Sequence, residues 1–428
     1  IREMFLHNYF RVLITAPPSF GKSTNMDMVR RFLEIPVDEK GNTIEPNTTF
    51  NYQLFQNNSL KICEHETFFR ENFGKYPVLY LDFSVLREVT DEDHMMFLIG
   101  TVMQRVYLHH NYLIHDPNLM NTSDSKTLFM KFCHGHVIMT SLEDVKSALV
   151  SLLDMLYRHY KTKVFVFIDD YDAHVQALLF KRNSHLSRII VFIDRLIEDL
   201  LYCEDEYIQG YMVTGVTRVR ERGKRITGIC HFRYLLDHPF SSYYGFTEQE
   251  VDTILNKVNF KEDKDKIKHD IIEDHRGYTI NNQNITIYNP LSVLTLLQNK
   301  ITNKPTNKWS MYESELKFKP VFTKNTIKDE LIKLLEGQEV WAKIGDAIFN
   351  DDIVNLNDAL HQASLEQNLS IELFKVLLYF YGFLSVTDDN YGQSIYRVRI
   401  PNKEVLKHFS SSLGLPRIYD YTTPSIHK

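Results

Sequence analysis

Four short, almost continuously apolar runs, each followed by a longer stretch of helical periodicity, constrain this chain more than any other feature. Phe10–Thr15, Val78–Phe83, Lys163–Ile168 and Tyr207–Thr214 are rich in β-branched and aromatic residues, as strands buried on both faces must be. Between and after them, Ser23–Leu33, His94–His109, Ser141–His159 and Ser187–Leu201 place apolar residues at helical spacing. Strands that alternate with helices in this way imply a mostly parallel sheet between helical layers, an α/β sandwich.

The length of 428 residues exceeds one ordinary core, so about two or three domains are expected. From Phe246 the texture changes. Thr247 and Glu250 have the spacing of a capping box ahead of Val251, Ile254 and Leu255, which predicts a helix start. The charged run Lys261–Asp274 reads as a solvated helical face, and Pro290 opens a further helix. Ile301–Pro305 reads as a polar linker. Beyond it, Thr326–Leu335, Val354–Leu365 and Ile371–Phe383 read as helices. Leu384–Thr387 and Ser394–Ile400 read as strands, with Asp388-Asp389-Asn390-Tyr391-Gly392 as the turn between them. The expected division is a nucleotide-type α/β domain over 1–240, a helical lid over 241–300 and a small α+β, winged-helix-like module over 301–428.

The first strand runs directly into Ala16-Pro17-Pro18-Ser19-Phe20-Gly21-Lys22-Ser23, a G-x-x-x-x-G-K-[S/T] loop whose first glycine is replaced by Ala16. A strand, a turn with inward amides and a helix N-terminus together make an anion cradle. The pattern predicts a P-loop NTPase sandwich that takes ATP and Mg²⁺. Ser19, Phe20, Gly21, Lys22, Ser23 and Thr24 would line the phosphates, with Lys22 on the β- and γ-phosphates and the Ser23 hydroxyl on the metal. A bare Gly-Lys-Ser is common; its place between a buried strand and an amphipathic helix gives it weight.

The third strand ends in Asp169-Asp170-Tyr171-Asp172. Asp169 is the expected Mg²⁺ ligand and Asp170 the group that orients or deprotonates water. Asp170 is one methylene shorter than the usual glutamate, and a misplacement of about 1 Å costs on the order of 100-fold in rate. The fourth strand offers Thr214 as a γ-phosphate sensor and Arg218 as a group that reaches the phosphates or a neighbouring subunit. Arg218, Arg220, Arg222, Lys224 and Arg225 form a basic cluster without interleaved aromatics, which reads as a solvated loop rather than a nucleic-acid patch.

Taken together, these motifs resemble the AAA-ATPase-like family. The resemblance is carried by Gly21-Lys22-Ser23-Thr24-Asn25-Met26, Gly74-Lys75-Tyr76-Pro77-Val78, Phe167-Ile168-Asp169-Asp170-Tyr171-Asp172 and Val213-Thr214-Gly215-Val216-Thr217-Arg218. It extends through Tyr244-Gly245-Phe246-Thr247, Ile287-Tyr288-Asn289-Pro290-Leu291-Ser292-Val293-Leu294 and Tyr396-Arg397-Val398-Arg399-Ile400-Pro401-Asn402-Lys403-Glu404-Val405. The resemblance implies ATP binding and ATP hydrolysis. It departs where the family has two arginines before Phe-Gly-Lys and this chain has Pro18 and Ser19, and where the family's Asp-Glu pair is Asp169-Asp170. Family members often add a nuclease-like part, which is essentially missing after Val405. The alternative is a catalytically degenerate ATPase-like fold that serves as an interaction or scaffold protein through its C-terminal module.

Other chemistries find less support. A net charge of −6 argues against chain-wide affinity for nucleic acid. Cys63, Cys133, Cys203 and Cys230 form no Cys-x-x-Cys pair, and neither Cys133-His134-Gly135-His136 nor Cys63-Glu64-His65 has a partner at zinc-site spacing. Cysteine spacings that suggest no disulfide framework, with no signal peptide visible, point to a reducing, cytoplasmic setting, although Ile1 reads as the start of a fragment. The longest apolar stretch, Val376–Leu384, falls well short of the roughly 20 residues that span a bilayer.

Overall fold

The computed structural model describes residues 1–57, 60–121, 123–134, 141–202, 204–222, 228–237, 239–280, 285–302, 324–362, 365, 369–388 and 394–412. Its centre is a five-stranded, wholly parallel sheet. Strands β1 (Arg11–Thr15), β2 (Val78–Asp82), β3 (Val164–Asp169) and β4 (Ile208–Gly215) match the four apolar runs. The two-residue β5 (Val219–Arg220) leaves the sheet, and β6 (Cys230–Arg233) returns to its edge. The order is β2-β3-β4-β1-β6.

Alternation along the strands divides the core. In β1, Val12 and Ile14 face one apolar cluster and Leu13 the other; in β3, Phe165 and Phe167 oppose Val164, Val166 and Ile168. Every residue of β3 is buried, as a central parallel strand requires. The flanking helices include Lys22–Leu33, Glu92–His109, Leu142–Tyr160 and Leu186–Tyr202. Strand β6 gave no sequence signal because it is a four-residue, partly exposed edge carrying His231 and Arg233.

The middle segment has its own small core, in which Val251, Leu255, Ile267, Ile271, Val293 and Leu297 join helices Glu248–Lys257, Lys264–His275 and Pro290–Thr302. The capping box forms as expected, with Thr247 and Glu250 bonding reciprocally. This segment is not purely helical: Phe246–Thr247, Thr286–Tyr288 and Tyr278–Thr279 make a three-stranded sheet. The helix from Pro290 runs on through Thr302, so the first two residues of the expected linker, Ile301 and Thr302, are helical; residues 303–305 lie outside the described residues.

The C-terminal module contains helices Asn325–Leu335, Asn350–His361 and Ile371–Phe380, followed by the helix Lys403–Ser412. Val340–Lys343, Ile395–Arg399 and Ser385–Asp388 pair antiparallel, in that spatial order. Of the turn expected over residues 388–392, Asp388 ends the strand Ser385–Asp388 and residues 389–392 lie outside the described residues. Leu331, Leu356, Leu377 and Val398 belong to the same apolar cluster as Leu13 and Ile168, so this module and the sheet share one core. Buried Asn357 reinforces the union, donating to the carbonyls of Leu178 at 3.2 Å, Leu179 at 2.8 Å and Lys181 at 2.8 Å. Among the described residues, no helix is long and apolar enough to cross a membrane.

Candidate functional site

Register fixes which residues meet. Leu13 and Ile168 both pair with Val213, and Asp82 pairs with Asp169, so the C-terminal ends of β1 to β4 lie along one edge. The amide of Ala16 donates to the Gly215 carbonyl at 3.1 Å, extending the β1–β4 ladder into the loop. Ser19 has φ 68° and Gly21 has φ 85°, the left-handed geometry that reverses the chain into the helix. A Cβ at Gly21 would find only Asn25 Nδ2 within 4 Å, at 3.9 Å, so its outer side is open to an incoming ligand.

Lys22 is 6% exposed and folds back over the loop. Its ammonium donates to the carbonyls of Ala16 at 2.8 Å and Pro17 at 2.9 Å. Burial pulls its pKa below the usual lysine value, while the charges of Asp170, Asp172 and Asp169 oppose that pull. The lysine loop and the acidic strand end therefore lie within electrostatic reach. Ser23 and Thr24 stand exposed in the first helical turn. Phe20 does not turn its ring to this edge. It is buried between Tyr234 and Tyr278, at centroid distances of 4.6 Å and 5.1 Å, and so anchors the loop, leaving only its backbone for a ligand.

Asp169 is 2% exposed. Its carboxylate accepts from the Thr214 hydroxyl, from the Asp170 amide at 3.1 Å and from the Tyr80 hydroxyl at 3.3 Å. Burial and the neighbouring Asp169 push the Tyr80 phenol upward, which keeps it a donor. Asp170, 4% exposed and at φ 52°, forms an ion pair with Arg87. Burial raises its pKa to about 6, against the lowering effect of Lys22 and Arg87. Asp172 has a separate task. It accepts from the amides of Val216 at 3.0 Å and Thr217 at 2.7 Å, the Thr217 hydroxyl at 2.7 Å and Gln176 at 3.1 Å. It thereby holds the turn after β4 against the turn after β3.

A family model described as predicted AAA-ATPase matches residues 1–224, more than half of the 428. The chain belongs to the AAA-ATPase-like family. A search among curated proteins finds no match. The matched part of this AAA-ATPase-like chain contains the lysine loop, the acidic strand end and Thr214-Gly215-Val216-Thr217-Arg218, and family membership supports a nucleotide-binding, ATPase-like function in general terms.

Arg218 does not point freely along the edge. It is 6% exposed and its guanidinium donates to Asp346 of the C-terminal module at 2.6 Å. The other oxygen of Asp346 meets His231 Nδ1 at 2.9 Å, and His231 Nε2 meets Thr15 Oγ1 at 2.9 Å. One carboxylate thus ties the ends of β1, β4 and β6 to the module, and His231 and Arg218 hold it well below the usual carboxylate range. The solvated basic loop expected from sequence is also engaged. Arg220 and Arg222 lie over the Phe349 ring, and Arg222 pairs with Asp352 at 3.1 Å; Lys224 and Arg225 lie outside the described residues.

Sequence reasoning missed Arg87, Tyr80 and Asp346, whose roles depend on neighbours far away in the chain. Asp172 carried a signal, since it belongs to the same acidic run as Asp169.

Proposed function

We propose that this chain binds ATP with Mg²⁺ at the edge defined by Lys22 and Asp169, and hydrolyses it slowly as a conformational switch. The observation that carries this reading is a buried lysine on a positive-φ loop, within the electrostatic reach of a buried acid triad on a neighbouring strand end. Lys22 would exchange the carbonyls of Ala16 and Pro17 for phosphate oxygens, and the amides of Gly21 to Thr24 would cap them.

Ser23 and Asp169 are the residues that would hold Mg²⁺. The donor set fits: Mg²⁺ takes one or two protein oxygens beside phosphates and water, and Asp169 is a hydrogen-bonded carboxylate. The ion supplies charge neutralisation at the phosphate oxygens. Asp170 accepts a proton from water while the water oxygen bonds to the γ-phosphorus; the bond to the β–γ bridging oxygen breaks, leaving ADP and inorganic phosphate. Thr214 orients Asp169. The middle segment acts as a lid. The C-terminal module reads its position and offers a surface for a protein partner; its strand order and three helices support a winged-helix-like reading.

Thermal unfolding with Mg-ATP tests the binding claim, since ligand at 100 times its dissociation constant should stabilise by about 2.7 kcal/mol. Asp170→Ala should keep that stabilisation and lose turnover, and Asp170→Glu should raise turnover. Because Asp170 serves as a base only when ionised, kcat/KM should fall about tenfold per pH unit below about pH 6. A flat profile between pH 5 and 7 assigns the proton to another group.

A scaffold reading is favoured by two ion pairs: Asp170 is held by Arg87 and Arg218 by Asp346. ATP-dependent stabilisation without phosphate release in any variant would select it. The engagement of Arg220 and Arg222 with the C-terminal module argues against a nucleic-acid partner at that cluster.

A further inference from the structure

Arg87 sits in the short turn Ser84–Glu88 that follows β2. Because Asp82 pairs with Asp169, this turn overhangs the same edge as the lysine loop and the acid pair. The turn is firmly rooted. The Phe83 amide donates to the Asp169 carbonyl at 3.0 Å, the Ser84 amide to Asp82 at 2.9 Å, and Leu86 and Val89 are fully buried on either side of Arg87.

From this mount the Arg87 side chain reaches Asp170 through Nη2 alone. Its other guanidinium nitrogens donate to no group among the described residues. The side chain remains 51% exposed, whereas that of Asp170 is 5% exposed, so the guanidinium covers a buried anion from the solvent side. Its charge acts on Lys22 as well as on Asp170. A planar fork with unused donors, above an anionic oxygen and within the field of the loop lysine, is suited to a phosphate group.

We propose that Arg87 is a phosphate-contacting arginine supplied by the chain itself, resting on Asp170 until the terminal phosphate of a nucleoside triphosphate takes that carboxylate's place. The exchange has two effects. It sets a positive charge against the γ-phosphate, where charge accumulates during transfer, and it releases Asp170 to accept the proton from water. This rests on the ATP reading above and adds to it a group that distinguishes a triphosphate from a diphosphate.

The test uses the full chain, titrated calorimetrically with Mg-ATP and with Mg-ADP, alongside phosphate release. Arg87→Ala should weaken ATP binding by about tenfold or more while ADP binding stays within about twofold, because the lost contact is to the third phosphate. Turnover should fall by roughly 1,000-fold, the lower end of what such arginines contribute. Arg87→Lys keeps a charge without the fork and should recover only part of both losses; Arg87→Gln is the fallback should the alanine variant unfold. The double variant Arg87→Ala/Asp170→Asn separates the alternatives. If Arg87 only neutralises Asp170, the double variant binds ATP as the wild type does, and the proposal is overturned. Equal losses for ATP and ADP in Arg87→Ala also overturn it. If the wild type binds neither nucleotide, the ATP reading itself fails, a result distinct from wild-type binding that Arg87→Ala leaves unchanged.

Discussion

Lys22→Ala should bind Mg-ATP at least about 100-fold more weakly than the wild type. Lys22 is the lysine of the loop and would contact two phosphate groups; charge-assisted contacts contribute about 1.5–3 kcal/mol each, and 1.4 kcal/mol is a factor of ten. The fold should survive the change. Among the described residues the ammonium's hydrogen bonds go to the Ala16 and Pro17 carbonyls of its own loop, and alanine is a stronger helix former than lysine at the first position of Lys22–Leu33. Unfolding without nucleotide should therefore shift little, while titration shows the loss. A variant that binds within threefold of the wild type would remove this loop from the nucleotide site.

Asp172→Ala should produce the opposite pattern, a large loss of stability wherever nucleotide stands. Its carboxylate is fully buried and serves Val216, Thr217 and Gln176. Alanine leaves two buried amides and a hydroxyl without an acceptor, and a buried donor left unpaired costs about 1–3 kcal/mol. Asp172→Asn retains an acceptor and should lose less. Denaturant titration gives the value, and a loss below about 1 kcal/mol would mean that the turn after β4 is held by other contacts.

The sheet was readable because β1 to β4 are buried on both faces, so burial itself wrote their apolar runs. Their ends agree with the expected ones within a residue. That Lys22, Ser23, Asp169 and Thr214 would lie along one edge was expected for a related reason: Asp169 and Thr214 lie at the ends of β3 and β4, Lys22 and Ser23 open the helix after the β1 loop, and parallel pairing leaves those C-terminal strand ends a single shared edge. What stayed hidden depends on long-range partners. Arg87 looks like any surface arginine until Asp170 is placed beneath it, and Asp346 looks like an ordinary loop acid until His231 and Arg218 converge on it. Phe20 was read as part of a phosphate cradle from its place in the loop; its ring packs elsewhere, on Tyr234 and Tyr278, which come from distant parts of the chain.

The apolar core shared by the sheet and the C-terminal module limits how this molecule moves. Gly382, at φ 80°, presses so near the loop that a methyl there would lie 2.9 Å from Pro17 Cβ, and the Tyr278 hydroxyl grips the Gly382 carbonyl at 2.6 Å. Close-packed surfaces resist wide swings because separating them opens voids, whereas sideways slips of an ångström or two are cheap. If the proposed switch operates, its displacement at the loop would pass from Pro17 to Gly382 as a small slide, and a probe sensitive to sub-nanometre distances should detect it where changes in overall dimensions would not.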